Sequence, residues 1–147
     1  MSHSRVQSID HTVQTTNRWL ADLAEAIGTE DRDFALRVLK AWLHAVRDGL
    51  TVDSAAHLAA QLPDLLRGVY YSGWEPSRVP IRRGREEFIE YFARSARVSL
   101  RDVSELAPAV TEFLCGELSE PSVTHVLDRL SHDVRTVLQP TGTARRG

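Results

Sequence analysis

Two histidines could do chemistry in this chain, because they occupy matching positions in two similar segments. His57 lies in AAHLAAQLPDLLRGVYYSGWEP, residues 55–76, and His125 lies 68 positions later in a weaker copy of that segment. An imidazole can bind a metal or titrate near neutral pH. A metal needs converging ligands, and Asp53 is the only carboxylate or histidine four residues from either of the two. We therefore predict no metal site, favour structural histidines, and keep His57 and His125 as an alternative polar site.

An aromatic segment, GVYYSGW at residues 68–74, follows directly after Arg67. Aromatic rings beside a guanidinium can hold a ligand ring or a partner's side chain, while the arginine pairs with an anion or stacks. Alternatively, Tyr70 and Trp74 close the hydrophobic core and the glycines form the turn. The functional interpretation predicts a ligand or partner surface at Arg67, Tyr70, Tyr71 and Trp74.

The densest positive charge follows this segment, in RVPIRRGR at residues 78–85. Arg78, Arg82 and Arg83 extend the predicted surface, because guanidinium groups bind phosphates and carboxylates well. The alternative is a solvated loop whose arginines pair with nearby glutamates. The whole chain has 18 basic and 20 acidic residues and a net charge of -2, which disfavours a dedicated nucleic-acid binder.

Other reactive patterns are missing from the sequence. Cys115 lies among Phe113, Leu114 and Leu118, where a thiol is usually inert packing. Neither GxxxxGK[ST] nor GxGxxG occurs, and no Glu-x-x-His pair suggests a di-iron bundle. We predict no catalytic residue and no cofactor, and whether the protein is an enzyme stays open with a preference against it.

Apolar residues recur at helical spacing through almost all of the chain. Trp19, Leu20 and Leu23 share one helix face, and Gly28 can end that helix in a left-handed turn. Thr51 can open a later helix, and Pro63 should kink or restart it. The register of His57 and His125 continues in four further pairs, which are Leu62 and Leu130, Leu66 and Val134, Arg67 and Arg135, and Val69 and Val137.

This shared register predicts a duplicated unit. The predicted fold class is all-α, a single globular helical bundle built from two tandem repeats of about four helices each. The predicted boundaries are a flexible N-terminus at 1–14, repeat one at 15–74, a linker at 75–84, repeat two at 85–138, and a flexible tail at 139–147. A unit of about 55 residues buries too little surface to fold alone, so we expect the two to pack together as one helical domain, 15–138.

Composition is that of a soluble globular protein, with 42% hydrophobic and 26% charged residues. No apolar run is long enough to cross a bilayer, and the first residues lack the apolar core of a signal peptide. With one cysteine among 147 residues, no disulfide can form within the chain. These features predict a cytoplasmic protein.

The first segment also carries a family resemblance. Its Leu-rich helix, Leu-Pro corner and Arg-bearing helix end are formed by Ala56, His57, Leu58, Ala60, Gln61, Leu62, Pro63, Leu65, Leu66, Arg67, Gly68, Tyr70, Tyr71, Gly73 and Trp74. The chain resembles the Domain of Unknown Function 2267 family over roughly residues 17–138. The resemblance implies tandem helical copies and no catalytic residues. In the second copy Ser131 replaces the corner proline, and nothing matches Tyr71, Gly73 or Trp74.

Three functions follow, in order of preference. The first is a non-enzymatic protein–protein interaction or scaffold module, with an unknown protein or a second copy as partner and no membrane contact. The second is a small-ligand or enzymatic pocket between the repeats, lined by His57, Tyr70, Tyr71 and Trp74. The third, which the net charge disfavours, is nucleic-acid contact through the arginine-rich linker.

Overall fold

A computed structural model describes residues 5–140, and these residues form eight α-helices, two 3-10 helices and no β-strand. The first half contains α1 (Gln7–Ala26), α2 (Arg32–Asp48), α3 (Val52–Ala59) and α4 (Asp64–Tyr71). The second half contains α5 (Arg85–Ala96), α6 (Val103–Glu117), α7 (Glu120–Leu127) and α8 (His132–Leu138). The 3-10 helices are Pro76–Arg78 and Leu100–Asp102. The predicted all-α fold class is confirmed.

Side-chain caps and turn residues set many of the helix ends. Gly28 has a φ of +78° after α1, as the predicted left-handed turn requires. The Asp31 side chain accepts a hydrogen bond from the Phe34 amide and caps α2. Thr51 caps α3 by accepting from the Ser54 amide at 3.2 Å. Pro63 separates α3 from α4, so the predicted restart of the helix occurs there.

Helix α2 is the centre of the molecule. It packs against α1 and α4 of its own half and against α5 and α6 of the other half. Trp42 of α2 is buried, and its indole Nε1 donates to the hydroxyl of Thr111 on α6 at 2.9 Å. Because one hydrophobic core draws side chains from both halves, the two halves form a single compact body.

Two helices of the second half repeat the positions of two in the first. Helix α7 begins and ends 68 positions after α3, and α8 begins 68 positions after α4. Ser119 caps α7 through the Ser122 amide as Thr51 caps α3, again 68 positions apart. Equivalent helix pairs also pack together, since α4 contacts α1 and α2 while α8 contacts α5 and α6. The tandem repeat itself stays a prediction.

The N-terminal segment differs from the expected flexible stretch at 1–14. Helix α1 begins at Gln7, so residues 7–14 are its first two turns. Most polar residues of this segment face solvent, while Val6, Ile9 and Val13 continue the apolar spacing of α1 toward the N-terminus. Of the predicted flexible tail at 139–147, Gln139 and Pro140 follow α8 without helical structure, and residues 141–147 lie outside the described part.

Candidate functional site

The aromatic corner consists of Tyr70, Tyr71 and Trp74 at the end of α4. Neighbouring rings lie 5.1 Å apart between centroids, both from Tyr70 to Tyr71 and from Tyr71 to Trp74. Gly73 has a φ of +76°, a conformation that favours glycine, and turns the chain between the second and third rings. The structure thus brings the three predicted aromatic residues together.

Tyr70 is a core residue, and its predicted place on a partner surface is a correction that burial imposes. The side chain is 0% exposed, and its hydroxyl donates to the Ala55 carbonyl of α3 at 2.9 Å. Burial raises the pKa of the Tyr70 phenol, which therefore stays neutral. Tyr71 and Trp74 are half-buried and pack against the core. The aromatic corner thereby closes the core at this end of the bundle.

A buried ionic cluster lies beneath the aromatic corner. Arg47 is only 3% exposed, and its guanidinium binds the Asp48 carboxylate at 2.9 Å. The same guanidinium donates to the carbonyls of Tyr70 at 2.7 Å and Ser72 at 2.8 Å. Because buried charges are tolerated only when they are paired and hydrogen-bonded, this cluster ties the end of α2 to the end of α4.

Sequence reasoning missed Arg47 and Asp48. The signal that could have revealed them is the composition of α2, in which Ala41, Trp42 and Leu43 are consecutive and apolar. A helix end that is apolar on all sides is a buried end, so the charged residues next to it should also be enclosed.

His44 adds a further polar contact between the same helices. Its Nε2 lies 2.7 Å from the Val69 carbonyl of α4, and so must carry a proton to donate to that oxygen. Burial lowers the pKa of His44, which favours the neutral ring. This histidine therefore positions α4 on α2.

Arg67 is engaged with the protein's own backbone. Its Nε donates to the Ala59 carbonyl at 2.9 Å, and a terminal nitrogen donates to the Leu62 carbonyl at 2.9 Å. The other terminal nitrogen binds Asp64 at 3.0 Å. These carbonyls belong to the end of α3 and the corner after it, so Arg67 caps that corner. The geometry gives Arg67 a structural role in place of the predicted surface role.

Replacing Arg67 with alanine is expected to reduce the free energy of unfolding by about 1–3 kcal/mol, because two backbone carbonyls lose a charged donor. Urea unfolding followed by circular dichroism measures the change. Arg78→Ala is the matched control, since Arg78 is exposed and its guanidinium pairs with the exposed Glu75 at 2.8 Å. That control should change stability by less than about 0.5 kcal/mol. If both variants were as stable as the parent, Arg67 would again be a candidate for the ligand or partner surface.

The arginines of the linker divide into three environments. Arg78 makes the exposed pair with Glu75. Arg83 is largely buried, lies 3.4 Å from Asp48, and stacks with its guanidinium carbon 3.8 Å from the ring centre of Tyr91. Arg82 is exposed and forms no ion pair with any carboxylate of the described residues. Of these three arginines, Arg82 is therefore the one whose guanidinium could bind a ligand.

His57 and His125 meet where α3 and α7 approach each other. Their ring centres are 5.5 Å apart, and both side chains are exposed. Arg129 approaches His125, with 3.5 Å between a guanidinium nitrogen and Nε2. Within residues 5–140, no group of three or more His, Cys, Asp or Glu side chains could hold a metal. The pair therefore links the two halves without a third ligand in that range.

Cys115 is half-buried on α6. Burial is the main cause that raises the pKa of its thiol, and Glu120 and Glu112 raise the pKa further. Because the thiolate is the nucleophilic form, this environment disfavours reaction at Cys115.

An exposed apolar patch, which sequence reasoning also missed, lies at the start of α1. The N-terminal stripe, defined here as Val6, Ile9, Val13 and the neighbouring Leu65 of α4, is 40% to 58% exposed at each residue. The Leu65 amide donates to the Thr12 hydroxyl at 2.9 Å, which holds the start of α4 against α1. Alternating spacings of three and four residues in α1 are the signal that could have revealed it.

The fold and these sites define an all-α protein with a central buried helix and polar cross-links between helix ends. The described helices include none that is long and apolar enough to span a membrane. The chain belongs to the family described as "Uncharacterized conserved protein (DUF2267)", whose sequence profile matches residues 16–137. No curated protein matches the chain.

Proposed function

We propose that this protein is a non-enzymatic helical interaction module that associates with a second copy of itself through the N-terminal stripe. The observation that carries the proposal is the continuity of one apolar seam along α1. Apolar residues occupy six of its seven heptad a and d positions, Val6, Ile9, Val13, Leu20, Leu23 and Ile27, and Thr16 occupies the seventh. Leu20 and Leu23 are buried in the body, whereas Val6, Ile9 and Val13 are exposed. A seam of this spacing is completed by another helix.

A second copy is the occupant that the residues of α1 favour. Two-fold association brings the same surface of both copies together, so each exposed seam covers the other. In an antiparallel arrangement, Ile9 of one copy packs on Val13 of the other. The charged residues beside the seam, Arg5 and Asp10, have opposite signs, so self-association brings together no excess of one charge.

The contact is small, because Val6, two residues of α1 and Leu65 supply its apolar part. Interfaces of this size belong to weak and transient complexes. We expect a dissociation constant on the order of 10–100 µM, with monomers dominant in dilute solution.

Ile9→Glu is expected to raise this dissociation constant at least about tenfold, because it places a charge in the centre of the apolar contact. Sedimentation equilibrium over a range of protein concentrations measures the change. Leu100→Glu is the matched control, since Leu100 is 57% exposed and Ile9 is 58% exposed. Leu100 lies in the second half, away from the stripe, and its substitution should leave the dissociation constant unchanged.

Two results would contradict self-association. One is a parent protein that stays monomeric at millimolar concentration, and the other is equal weakening by both substitutions. Stable binding of a different protein to the stripe of a strictly monomeric chain would also replace the second copy as the occupant.

The pocket predicted between the repeats has less support. Tyr70 is buried, the Tyr71 ring packs edge-on against it, and the Trp74 ring packs against Tyr71, so the protein's own side chains fill that space. His57 instead contacts His125 on an exposed surface. As for location, the single cysteine still favours a reducing compartment such as the cytoplasm.

A further inference from the structure

A cationic cleft lies between the linker and the corner that joins α7 to α8. Its rim carries Arg82, Arg83 and Arg129, and its apolar lining includes Ala45, Ile81, Phe88, Leu130 and Val134. The enclosed part of the cleft is about 50 Å³, room for a few water molecules, and the space reaches about 420 Å³ only when the open mouth is counted. A small molecule bound here would therefore lie at the mouth, over the arginines.

The charge of this cationic cleft is incompletely balanced. Among residues 5–140, three arginines line it and no carboxylate does. Asp48 pairs with Arg83. Arg82 and Arg129 have no carboxylate partner within the described part of the chain. Two like charges at one cleft repel each other and produce a positive potential, which an anion between them would relieve.

The backbone that carries Arg82 is held in place. The amide of the neighbouring Ile81 donates to the Asp48 carbonyl at 2.7 Å, which fastens the linker to the end of α2. Arg83, next in the chain, is fixed by Asp48 and by the Tyr91 ring. The linker arginines are therefore anchored to the central helix, and an anion would bind without ordering a mobile loop.

Arg129 is held on the opposite side of the cationic cleft. Its amide donates to the Val126 carbonyl at 3.0 Å, and that of Leu130 donates to the Leu127 carbonyl at 3.0 Å. The Leu130 side chain packs against Gly49 so closely that an added Cβ at Gly49 would lie 3.0 Å from Leu130 Cδ2. The corner with Arg129 is thus packed against the end of α2, as the linker is.

We propose that the cationic cleft binds a small organic anion, whose charged oxygens pair with Arg82 and Arg129 and whose apolar part lies on Ile81 and Leu130. Arg82 belongs to the linker and Arg129 to the second half, so the ligand would bridge the linker and the second half. Anion binding at the cleft and self-association through the N-terminal stripe use different residues, so one can fail while the other holds.

The first experiment is a titration of the ¹⁵N-labelled protein with benzoate, phenyl phosphate, inorganic phosphate and uncharged benzyl alcohol. We expect saturable amide shifts at Ile81, Arg82, Arg129 and Leu130 with one or both organic anions. Comparison of the two identifies the preferred oxyanion, carboxylate or phosphate. Inorganic phosphate should bind at least about tenfold more weakly, because it lacks the apolar part, and benzyl alcohol should not saturate.

The second experiment repeats the titration with Arg82→Gln/Arg129→Gln. Loss of two charged donors should weaken binding of the preferred anion by at least about tenfold. Arg78→Gln is the matched control, because it removes a linker arginine outside the cleft, and it should bind like the parent. Both replaced arginines are exposed, so the double variant should keep the amide spectrum of the fold away from the cleft.

Three outcomes would overturn the proposal. They are the absence of saturable shifts at the cleft with either organic anion, equal affinity for the parent and the double variant, and equal affinity for inorganic phosphate and the organic anions. The amide shifts of the parent protein decide the first and third outcomes independently of any substitution.

Discussion

Arg47→Met is expected to reduce the free energy of unfolding by about 3–5 kcal/mol, as large an effect as the loss of a fully buried aromatic ring. The change removes the partner of a buried carboxylate, Asp48, and the donor to the carbonyls of Tyr70 and Ser72. The length of methionine keeps much of the packing of the arginine stem, so the loss reports on charge and hydrogen bonding.

Urea unfolding of the parent and the variant measures this effect. Lys40→Met is the matched control, because Lys40 lies on the same helix and is exposed. It should change the free energy of unfolding by less than about 0.5 kcal/mol. A loss below about 1 kcal/mol for Arg47→Met would show that water or a rearranged side chain satisfies Asp48 and the two carbonyls.

The double variant Arg47→Met/Asp48→Leu tests why the single change is costly. When both members of a buried ion pair are replaced by apolar residues, no unpaired charge remains. We expect the double variant to be more stable than Arg47→Met alone, although Arg83 then loses its contact with Asp48. If the double variant were less stable than Arg47→Met, the ion pair of Asp48 with Arg83 would be its main contribution to stability.

The second large effect is expected at Tyr70. Tyr70→Ala should reduce the free energy of unfolding by about 3–5 kcal/mol, because a fully buried ring is removed and a cavity remains. Tyr70→Phe keeps the ring and leaves the Ala55 carbonyl without its donor. We expect about 1–3 kcal/mol for that hydroxyl alone.

Thermal and urea unfolding of both variants measure these losses. Tyr71→Ala is the matched comparison, since the neighbouring ring is half-buried and should cost less than Tyr70→Ala. If Tyr70→Ala reduced the free energy of unfolding less than Tyr71→Ala, Tyr71 would be the more buried of the two rings. The aromatic corner would then regain its interpretation as a binding surface.

Periodicity and caps were sufficient to predict most of the helices. The restart at Pro63 and the turn at Gly28 both occur as expected, because each depends on backbone constraints of one or two residues. The start of α1 was missed, because its first two turns are polar on most faces and carry only Ile9 and Val13 as apolar signal.

The candidate site was predicted less well, and its residues show why. Arg67, Tyr70 and Arg83 have side chains typical of binding surfaces, yet each is engaged inside the protein. Arg129 was not singled out, because in the sequence it is one arginine on a short helix end, 46 positions after Arg83. Only folding brings these two arginines to one cleft.

Local features of the chain therefore determined the all-α class, the helix order and the matched positions of α3 and α7, since spacing and caps act over a few residues. Tertiary packing decided which polar side chains are enclosed. Whether Arg47 is buried, or Arg82 finds a carboxylate among the described residues, depends on segments distant in sequence, and no local pattern contains that information. The exposure of the N-terminal stripe is also decided by packing. The other helices cover Leu20 and Leu23 of the same seam and leave Val6, Ile9 and Val13 open to solvent.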